Sequence, residues 1–350
     1  SRRVRSRLLR WCCALLLAGL ATGVGVLGRA AAGVEPLVRV RRAHYVMGTL
    51  FEITAYGAER QATAQAVEDA FALIRRADDV MSHYREESDL MRLNRRAAQE
   101  AVPVPADLYA VLSEAIKYGE LSGGAFDVTV GPLVRLWNRA GENARLPSSE
   151  EIREARAQVG FRSVRLLPGT RVRFARTGVE VNLGGIGKGW AVDRAADLLR
   201  ERGIRTALIN AGASTFYALG HGPEGTGWPV AVRDPCRRES TLATIRLREG
   251  SLSTSASYER YWEIEGERYG HIIDPRSGWP VEPLAGVTVT APAATESDAL
   301  STAVFVLGAE EGEALLRRLG RRGLLIERAD GVCRAHEVGK FTSILSAERE

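Results

Sequence analysis

The stretch from Val181 to Asp193 constrains the local fold more than any other part of the sequence. It reads Val-Asn-Leu-Gly-Gly-Ile-Gly-Lys-Gly-Trp-Ala-Val-Asp, and it predicts a short strand over 178–183, a glycine-dense turn, and a helix over 188–202. Glycines let backbone N–H groups approach a ligand closely, the helix start adds partial positive charge, and Lys188 adds a full charge. The pattern therefore predicts a site for a phosphate or pyrophosphate.

Two familiar phosphate-binding motifs do not fit this stretch. Gly189 follows Lys188 where a Walker A loop carries Ser or Thr, and the glycine spacing differs from the dinucleotide fingerprint. A tight strand-to-helix turn with a solvated lysine accounts for the local pattern equally well. The stretch alone leaves both interpretations open.

The positive charge of the chain is concentrated at its N-terminus. The net charge is +5, but residues 1–32 hold six arginines and no acidic residue, so the remainder carries −1. A nearly neutral body argues against a nucleic-acid surface. With 45% hydrophobic residues, the 350-residue chain can bury a large core in one large domain or two small ones.

The N-terminal segment has the pattern of an export signal. Arginines between positions 2 and 10 precede an uncharged run of 18 residues from Trp11 to Gly28, and Ala30-Ala31-Ala32 offers a cleavage site. A retained membrane anchor is the alternative, because such a run is just long enough to span a bilayer. We predict a signal peptide or anchor over 1–32 and a flexible lead-in over 33–44. The predicted location is the periplasm or the outer face of the cytoplasmic membrane.

Two cysteines lie outside that segment, Cys236 and Cys333. An exported compartment would permit a disulfide, but the sequence does not show that the two residues meet. We therefore expect two free thiols, and the chain has no Cys/His spacing typical of a metal site.

Hydrophobic periodicity predicts separate helices and strands. The helices are expected over 60–81, 106–121, 150–159, 297–306 and 310–319. Strands are expected over 46–56, 164–167, 171–174, 207–211, 228–233, 243–247, 261–264, 287–291 and 323–328. Long strand-to-strand stretches alternate with separate helices, so the pattern predicts an α+β fold rather than a regular parallel one.

A histidine forms the second candidate site. His271 stands at the end of a predicted strand, ahead of Ile272-Ile273-Asp274-Pro275 and the turn residues Ser277-Gly278. Histidine is the most frequent general base near neutral pH, and this position is suited to projecting it into a site. A histidine that merely caps the turn is the alternative.

A carboxylate and a hydroxyl form the third candidate site. Asp298 and Thr302 are four residues apart, so on a helix they share one face. Oxygen ligands of this kind suit Mg²⁺, which usually also binds substrate phosphates. The alternative is a capping box, in which Thr295 and Asp298 close the helix N-terminus.

An aromatic residue flanked by small ones forms the fourth candidate site. Ala125-Phe126-Asp127 precedes Val128-Thr129, and such a segment can line a planar ring. An ordinary turn in the core is the alternative.

Taken together and in order, the motifs resemble the FAD:protein FMN transferase family, known as ApbE, over nearly all of the chain after the N-terminal segment. The matching blocks are Met47–Thr49, Met81–Tyr84 with Ser88 and Asn94, Ala125–Thr129, Asn182–Asp193, Trp228–Pro235, Tyr258–Tyr261, His271–Gly278 and Asp298–Thr302. The resemblance implies an ApbE-like (T-fold-like) α+β domain over 45–346, with mixed sheets packed against helices. It also implies Mg²⁺-dependent transfer of the FMN half of FAD to a Ser or Thr hydroxyl of a target flavoprotein, with release of AMP.

The resemblance further assigns roles to individual residues. FAD would contact Met47, Tyr84, Ala125, Phe126, Asp127, Asn182, Lys188 and Ile272. Mg²⁺ would be held by Asp298, Thr302 and the carbonyl of Gly185. His271 would activate the acceptor hydroxyl, and Asp274 would orient the turn that follows it.

The chain departs from the family pattern at three positions. Asn182 stands where the family usually has Asp, and Ala213 and Ala256 stand where glycine is usual. None of these changes removes a presumed metal ligand or His271. The departures leave two alternatives to transfer open: an Mg²⁺-dependent FAD pyrophosphatase that uses water as the acceptor, and an exported FAD-binding protein without activity.

Overall fold

The computed structural model describes residues 37–346, apart from 238, 257–259, 330 and 342–343. The predicted signal peptide or anchor over 1–32 lies outside the described residues. Among the residues that are described, no helix combines the length and the apolar character needed to cross a membrane.

Helices and strands are interspersed along the described chain. The helices are α1 (Arg60–Met81), α2 (Asp89–Arg96), α3 (Ala106–Leu121), α4 (Gly131–Glu142), α5 (Ser149–Ala157), α6 (Gly187–Glu201) and α7 (Ala294–Arg318). The first strands are β1 (Val38–Val46), β2 (Thr49–Gly57), β3 (Val102–Pro103), β4 (Val164–Leu167), β5 (Arg171–Phe174), β6 (Thr206–Ala211), β7 (Thr215–Leu219) and β8 (Trp228–Arg233). The remaining strands are β9 (Thr241–Leu247), β10 (Gly250–Ala256), β11 (Tyr261–Ile264), β12 (Glu267–Gly270), β13 (Gly286–Ala291), β14 (Arg322–Ala329), β15 (Val332–Val338) and β16 (Ile344–Ser346).

A large antiparallel sheet forms the frame of the domain. Its strand order is β1-β2-β6-β7-β10-β13-β14-β15. Helices α1, α6 and α7 pack against one face and against one another. The other face is covered by the small β16-β9-β8 sheet, through a core that includes Trp228, Val230, Leu252 and Ile326. Because helices and antiparallel strands occupy separate layers, the predicted α+β class is the one observed.

Two further substructures surround the end of the large sheet. One is the β3-β5-β4 sheet beside α2 and α3. The other is the β11–β12 hairpin, which packs on α4 and α5 through a core containing Trp137, Leu133, Ile264 and Ile273. This second substructure carries His271 directly after β12.

The structure confirms the two longest predicted helices at their predicted bounds, α1 over 60–81 and α3 over 106–121. The predicted helices over 297–306 and 310–319 are two parts of α7, joined at Gly308, where φ is 79°. The predicted flexible lead-in over 33–44 is wrong for residues 38–44, because β1 begins at Val38 and pairs with β2 along its length.

The predicted strand over 178–183 is also wrong. Of these residues, only Glu180 forms a β-bridge, to Val130. The segment is held by Asn94 instead, whose side chain accepts a hydrogen bond from Val181 N at 2.8 Å and donates one to Val181 O at 2.9 Å. The Asn94 side chain thus makes the hydrogen bonds to Val181 that the backbone of a neighbouring strand would otherwise make. The segment stays irregular up to the glycine turn.

Cys236 and Cys333 form a disulfide, so the expectation of two free thiols is wrong. Their Cα atoms are 5.5 Å apart and their sequence separation is 97 residues. The bond ties the loop after β8 to strand β15, and so links the small covering sheet to the edge of the large one.

We expect reduction of this disulfide to lower the free energy of unfolding by about 4 kcal/mol, because it closes a long loop of the unfolded chain. Urea unfolding curves with and without a thiol reductant measure the difference. The double variant Cys236→Ser/Cys333→Ser should match the reduced protein and should not respond to reductant. Coincident curves for the oxidised and reduced wild type would contradict the expectation.

Candidate functional site

A cavity of 810 Å³ lies where the glycine turn, the β1–β2 turn, the start of α7 and the end of the β11–β12 hairpin meet. This volume is in the range of small-molecule sites. The sequence-predicted residues that line it are Met47, Tyr84, Ala125, Phe126, Asp127, Asn182, Gly185, Lys188, His271, Ile272, Asp298 and Thr302. Asp274 is the one predicted site residue that does not line the cavity.

The β1–β2 turn presents Met47 to the cavity in a strained conformation. Met47 and Gly48 are the two loop residues, with φ of 53° and 72°, as in a type I′ hairpin turn. The left-handed region costs a residue with a Cβ about 1–2 kcal/mol. The Met47 side chain extends toward Gly187 at the start of α6, where a Cβ atom would lie 3.8 Å from Met47 Cε. The turn therefore places an apolar side chain next to the predicted phosphate site.

The glycine turn is fixed by its own hydrogen bonds. Asn182 Oδ1 accepts a hydrogen bond from Gly184 N at 2.9 Å, and Leu183 O accepts hydrogen bonds from Ile186 N at 3.1 Å and Gly187 N at 2.7 Å. Because the oxygen of Asn182 is used within the turn, its Nδ2 is the part of the side chain left to donate to a ligand.

Helices α6 and α7 are locked together at their N-termini. Asp193 on α6 accepts hydrogen bonds from Ala294 N at 2.6 Å, from Thr295 N at 2.8 Å, and from Thr295 Oγ1 at 2.6 Å. Gly189 lies so close that a Cβ atom there would be 2.3 Å from Ala294 O. The cap of α7 therefore comes from another helix, and the capping-box interpretation of Thr295 and Asp298 is wrong.

Asp298 instead faces the start of α6. Its Oδ2 accepts a hydrogen bond from Gly189 N at 3.0 Å. Burial raises the pKa of Asp298, while the Lys188 ammonium, the Gly189 N–H and the Thr215 hydroxyl act in the opposite direction. Because burial disfavours the charged form, the Asp298 carboxylate depends on these neighbours to stay ionised. A buried carboxylate of this kind is suited to binding a cation or a proton.

Thr302 and Gly185 lie next to each other beside Asp298. The Thr302 hydroxyl is 3.4 Å from Asp298 O, and a Cβ atom on Gly185 would be 3.4 Å from Thr302 Oγ1. The Asp298 carboxylate, the Thr302 hydroxyl and the Gly185 segment thus line the same cavity. They are oxygen donors of the type that hard cations bind.

Buried hydroxyl groups fasten α7 to the sheet beneath Asp298. Ser253 Oγ on β10 is 3.2 Å from Thr215 Oγ1 and 2.7 Å from Ser297 Oγ, and Ser255 Oγ is 2.9 Å from Ser301 Oγ. Because each buried hydroxyl has a partner, the contact stabilises one position of the helix. Asp298 therefore sits on a rigid support.

Lys188 is held by the turn between β6 and β7. Its Nζ donates a hydrogen bond to Ser214 Oγ at 2.8 Å. The preceding residue, Ala213, has a φ of 58°, a conformation in which glycine avoids the steric cost. By contrast Ala256, the other alanine at a usual glycine position, lies opposite Gly286 in the β10–β13 pair, so its methyl group is accommodated.

We expect Ala213→Gly to raise the free energy of unfolding by about 1 kcal/mol, because it removes the left-handed strain. Chemical denaturation measures the gain. Ala144→Gly is a matched control, because Ala144 also has a positive φ, 47°, and does not line the cavity. It should show a similar gain, and a less stable Ala213→Gly protein would contradict the expectation.

The backbone fixes the protonation of His271. Both its N–H, at 3.1 Å, and its Nδ1, at 3.0 Å, face the carbonyl oxygen of Arg260. A nitrogen that bonds a carbonyl carries the proton, so Nε2 keeps its lone pair. Burial lowers the pKa of His271, and the charges of Arg260 and Lys188 lower it further, although the bond to the carbonyl acts the other way. His271 is therefore neutral near pH 7 and able to accept a proton.

Asp274 organises the turn after His271 rather than the cavity wall. Its carboxylate accepts hydrogen bonds from Arg276 N at 2.8 Å and from the Arg276 side chain at 3.0 Å. Its backbone carbonyl accepts a hydrogen bond from Gly278 N at 2.8 Å, and Trp137 Nε1 donates to Gly278 O at 3.0 Å. These bonds hold the turn in place, and a catalytic role for Asp274 stays a prediction.

Asp127 lines the cavity, but its carboxylate is bound within the protein. Oδ1 accepts hydrogen bonds from Thr129 N at 2.8 Å and Thr129 Oγ1 at 2.6 Å, and Oδ2 accepts one from Phe161 N at 2.8 Å. Burial raises the pKa of Asp127, and these bonds oppose the shift. Both carboxylate oxygens of Asp127 are therefore engaged by the protein, and the side chain holds this segment of the cavity wall, including Phe126, in place.

His83 and Arg260 are among the cavity residues that received no role from the sequence. His83 stacks on Tyr84, with ring centroids 3.8 Å apart, and its pKa is lowered by burial and by the charge of Arg260. Arg260 also lines the cavity. Glu265-Gly266 is the turn of the β11–β12 hairpin. Counting outward from this turn, one position beyond the Tyr261–Gly270 pair, brings Arg260 opposite His271, and this is the sequence signal that could have found Arg260.

Lys188, the first amides of α6 and the unprotonated Nε2 of His271 thus face one cavity, a combination suited to an enzyme that transfers a phosphate-linked group. The chain belongs to the ApbE family, whose family model matches residues 47–325.

Relatives of this chain cover most of its length. It is 36% identical over 292 residues to the FAD:protein FMN transferase of Treponema pallidum, covering 79% of this chain and 81% of that protein. It is 31% identical over 310 residues to the enzyme of that name from Escherichia coli strain K12, covering 87% of this chain and 88% of the relative.

Solved structures of the family share the fold. The flavin transferase ApbE from Vibrio cholerae superimposes with a TM-score of 0.76 at 29% identity, covering 87% of this chain and 99% of that one. The apo flavinyl transferase ApbE from Pseudomonas stutzeri has a TM-score of 0.76 at 30% identity, covering 86% of this chain and 95% of that one. The similarity confirms the predicted ApbE-like α+β fold in a single domain.

Proposed function

We propose that this chain is an FAD:protein FMN transferase, which moves the FMN half of FAD onto a Ser or Thr hydroxyl of a target flavoprotein and releases AMP. The observation that carries the proposal is the unprotonated Nε2 of His271 in the same cavity as Lys188 and the N-terminus of α6. Binding a flavin requires no base, whereas activating a hydroxyl benefits from one.

Binding of the pyrophosphate is assigned to the glycine turn. Lys188 supplies a full positive charge, and the first amides of α6 supply fixed dipoles. Phosphoryl-type transfer depends on such neutralisation and on in-line positioning more than on covalent chemistry. Asn182 Nδ2 adds a neutral donor in place of the acidic residue usual in the family.

Mg²⁺ fits the oxygen donors described above. Asp298, Thr302 and the Gly185 carbonyl would hold it, since the buried carboxylate, the hydroxyl and the Gly185 segment all line one cavity. When bound, the ion would neutralise phosphate charge. Lys188 lines the same cavity as the donor set, so a phosphate bound by the lysine would also lie near the ion.

In the transfer step one bond to phosphorus forms, one breaks, and one proton moves to a residue of the cavity. The acceptor hydroxyl attacks the phosphorus of the FMN half while its proton passes to His271 Nε2. The bond from that phosphorus to the bridging oxygen breaks, and the electron pair leaves with AMP. The carbonyl of Arg260 keeps the imidazole oriented throughout.

One reaction mixture tests the proposal against its alternatives. The purified protein is incubated with FAD, Mg²⁺ and an acceptor flavoprotein, and the products are separated on a denaturing gel and by nucleotide chromatography. A fluorescent acceptor band that survives denaturation, with AMP, supports transfer. AMP without a labelled band supports the FAD pyrophosphatase alternative. Bound FAD without either product would leave only a binding protein.

The disulfide supports an exported location. Bonds of this kind persist in oxidising compartments, and the described domain contains one between Cys236 and Cys333. We propose that the domain resides in the periplasm or on the outer face of the cytoplasmic membrane, with membrane association through residues 1–32 if that segment is retained. Fractionation of cells, with the N-terminal sequence of the recovered protein, tests both points.

A further inference from the structure

Arg260 lies directly across the β11–β12 hairpin from His271. The register pairs Tyr261 with Gly270, and the next position outward brings Arg260 opposite His271, where the Arg260 carbonyl accepts both hydrogen bonds of the histidine. Directly opposed residues of an antiparallel pair project their side chains from the same face. Both residues line the cavity, so the hairpin presents a guanidinium and the proposed base side by side.

The carboxylates that line the cavity are already engaged elsewhere. Asp78 pairs with Arg85 at 3.1 Å, and Asp127 and Asp298 accept hydrogen bonds within the protein. None of these three described residues forms an ion pair with Arg260. The charge of Arg260 nevertheless reaches into the cavity, because it lowers the pKa of both His271 and His83. Arg260 is exposed at the cavity, so its guanidinium is accessible to an anionic group of a bound ligand.

Two cations act on His271 from different elements. Lys188 belongs to α6 and Arg260 to the hairpin, and both lower the pKa of the histidine. In an in-line transfer the attacking hydroxyl stands beside the base, and the leaving group departs on the opposite side of the phosphorus. A cation next to the base is therefore close to the phosphoryl group that is transferred.

We propose that Arg260 is a further catalytic residue, whose guanidinium binds a non-bridging oxygen of the FMN phosphoryl group during transfer. The inference rests on the proposed function. As the hydroxyl oxygen bonds to phosphorus and the bridging oxygen leaves with AMP, negative charge is spread over the oxygens of the transferred group. A guanidinium beside the base stabilises that charge and keeps His271 unprotonated until it accepts the hydroxyl proton.

The test compares Arg260→Ala and Arg260→Lys with the control Arg268→Ala. Arg268 is on the same hairpin, but it stacks on the ring of Tyr261, 4.6 Å from the centroid, and does not line the cavity. AMP release and acceptor labelling give kcat and the KM for FAD, and fluorescence titration gives the Kd of FAD. We expect Arg260→Ala to lower kcat by about 10²–10³-fold. The change in the Kd of FAD should be much smaller, Arg260→Lys should recover part of kcat, and Arg268→Ala should behave as wild type.

The pH profile separates this role from a structural one. Removing the cation raises the pKa of His271, so the acid limb of kcat/KM should move to higher pH in Arg260→Ala and stay in place in Arg268→Ala. Wild-type kcat together with an unmoved limb in Arg260→Ala would overturn the inference and leave the proposed function intact. A wild-type protein that yields neither AMP nor labelled acceptor would overturn both.

Discussion

Turnover should fall by about 10³-fold or more when Asp298 is replaced by Ala, because several kcal/mol of charge stabilisation depend on the one buried carboxylate of the donor set. Asp298 is positioned by Gly189 N and by α7, and the Thr302 hydroxyl lies beside its backbone carbonyl. AMP release as a function of Mg²⁺ concentration measures the effect. The apparent affinity for Mg²⁺ should fall together with kcat.

Asp298→Asn is the matched control for this prediction. It keeps an oxygen for the hydrogen bond from Gly189 N but removes the charge that burial disfavours. We expect the Asn variant to be inactive like the Ala variant, yet to melt at or above the temperature of the wild type. Unchanged Mg²⁺ dependence in either variant would show that Asp298 does not bind the ion and has only a structural role.

Replacing His271 with Ala should slow transfer by about 10²–10⁴-fold, the usual contribution of a general base. The affinity for FAD should change little, since Lys188 and the start of α6 remain. The assay measures labelled acceptor at saturating FAD, alongside a fluorescence titration of FAD binding. A loss of FAD affinity as large as the loss of rate would contradict a role as base.

The pH dependence follows from the direction of the pKa shift. Burial and two neighbouring cations lower the pKa of His271 below its ordinary value of about 6.5. The active, neutral form of His271 therefore dominates above the lowered pKa. We expect kcat/KM to rise with pH through an acid limb that lies below pH 6.5 and to level off above it. His83→Ala should keep this limb, because the limb reports the titration of His271, which the Arg260 carbonyl still orients in that variant. A limb that persists in His271→Ala would identify another group as the base.

Elements with a strong local pattern could be predicted from the sequence. Helix α1 was predicted at its observed bounds because Val67, Ala70, Phe71, Ile74 and Ala77 repeat with the helical period and are all buried. Strand β1 was missed because its exposed positions carry arginines, which lower the apparent β propensity of an edge strand. The glycine turn was correctly joined to a helix, but the segment before it proved irregular.

The candidate site was predicted as a set of residues but not as a set of contacts. Asp193 caps a helix about a hundred positions away, Asn94 replaces a strand for Val181, and Cys236 meets Cys333 across much of the chain. None of these contacts follows from local spacing, because tertiary packing alone brings the partners together. For the same reason the sequence proposed a capping box at Asp298 where the structure has a bond to Gly189.

The mass of an intact acceptor protein tests the central claim most directly. The wild-type protein is mixed with FAD, Mg²⁺ and an acceptor, and the acceptor is weighed while AMP is quantified. The account predicts that the acceptor gains one phosphoester-linked FMN for each AMP released, and that substitution of the modified Ser or Thr by Ala abolishes the gain. An acceptor of unchanged mass, in the presence of FAD that the protein demonstrably binds, would contradict it.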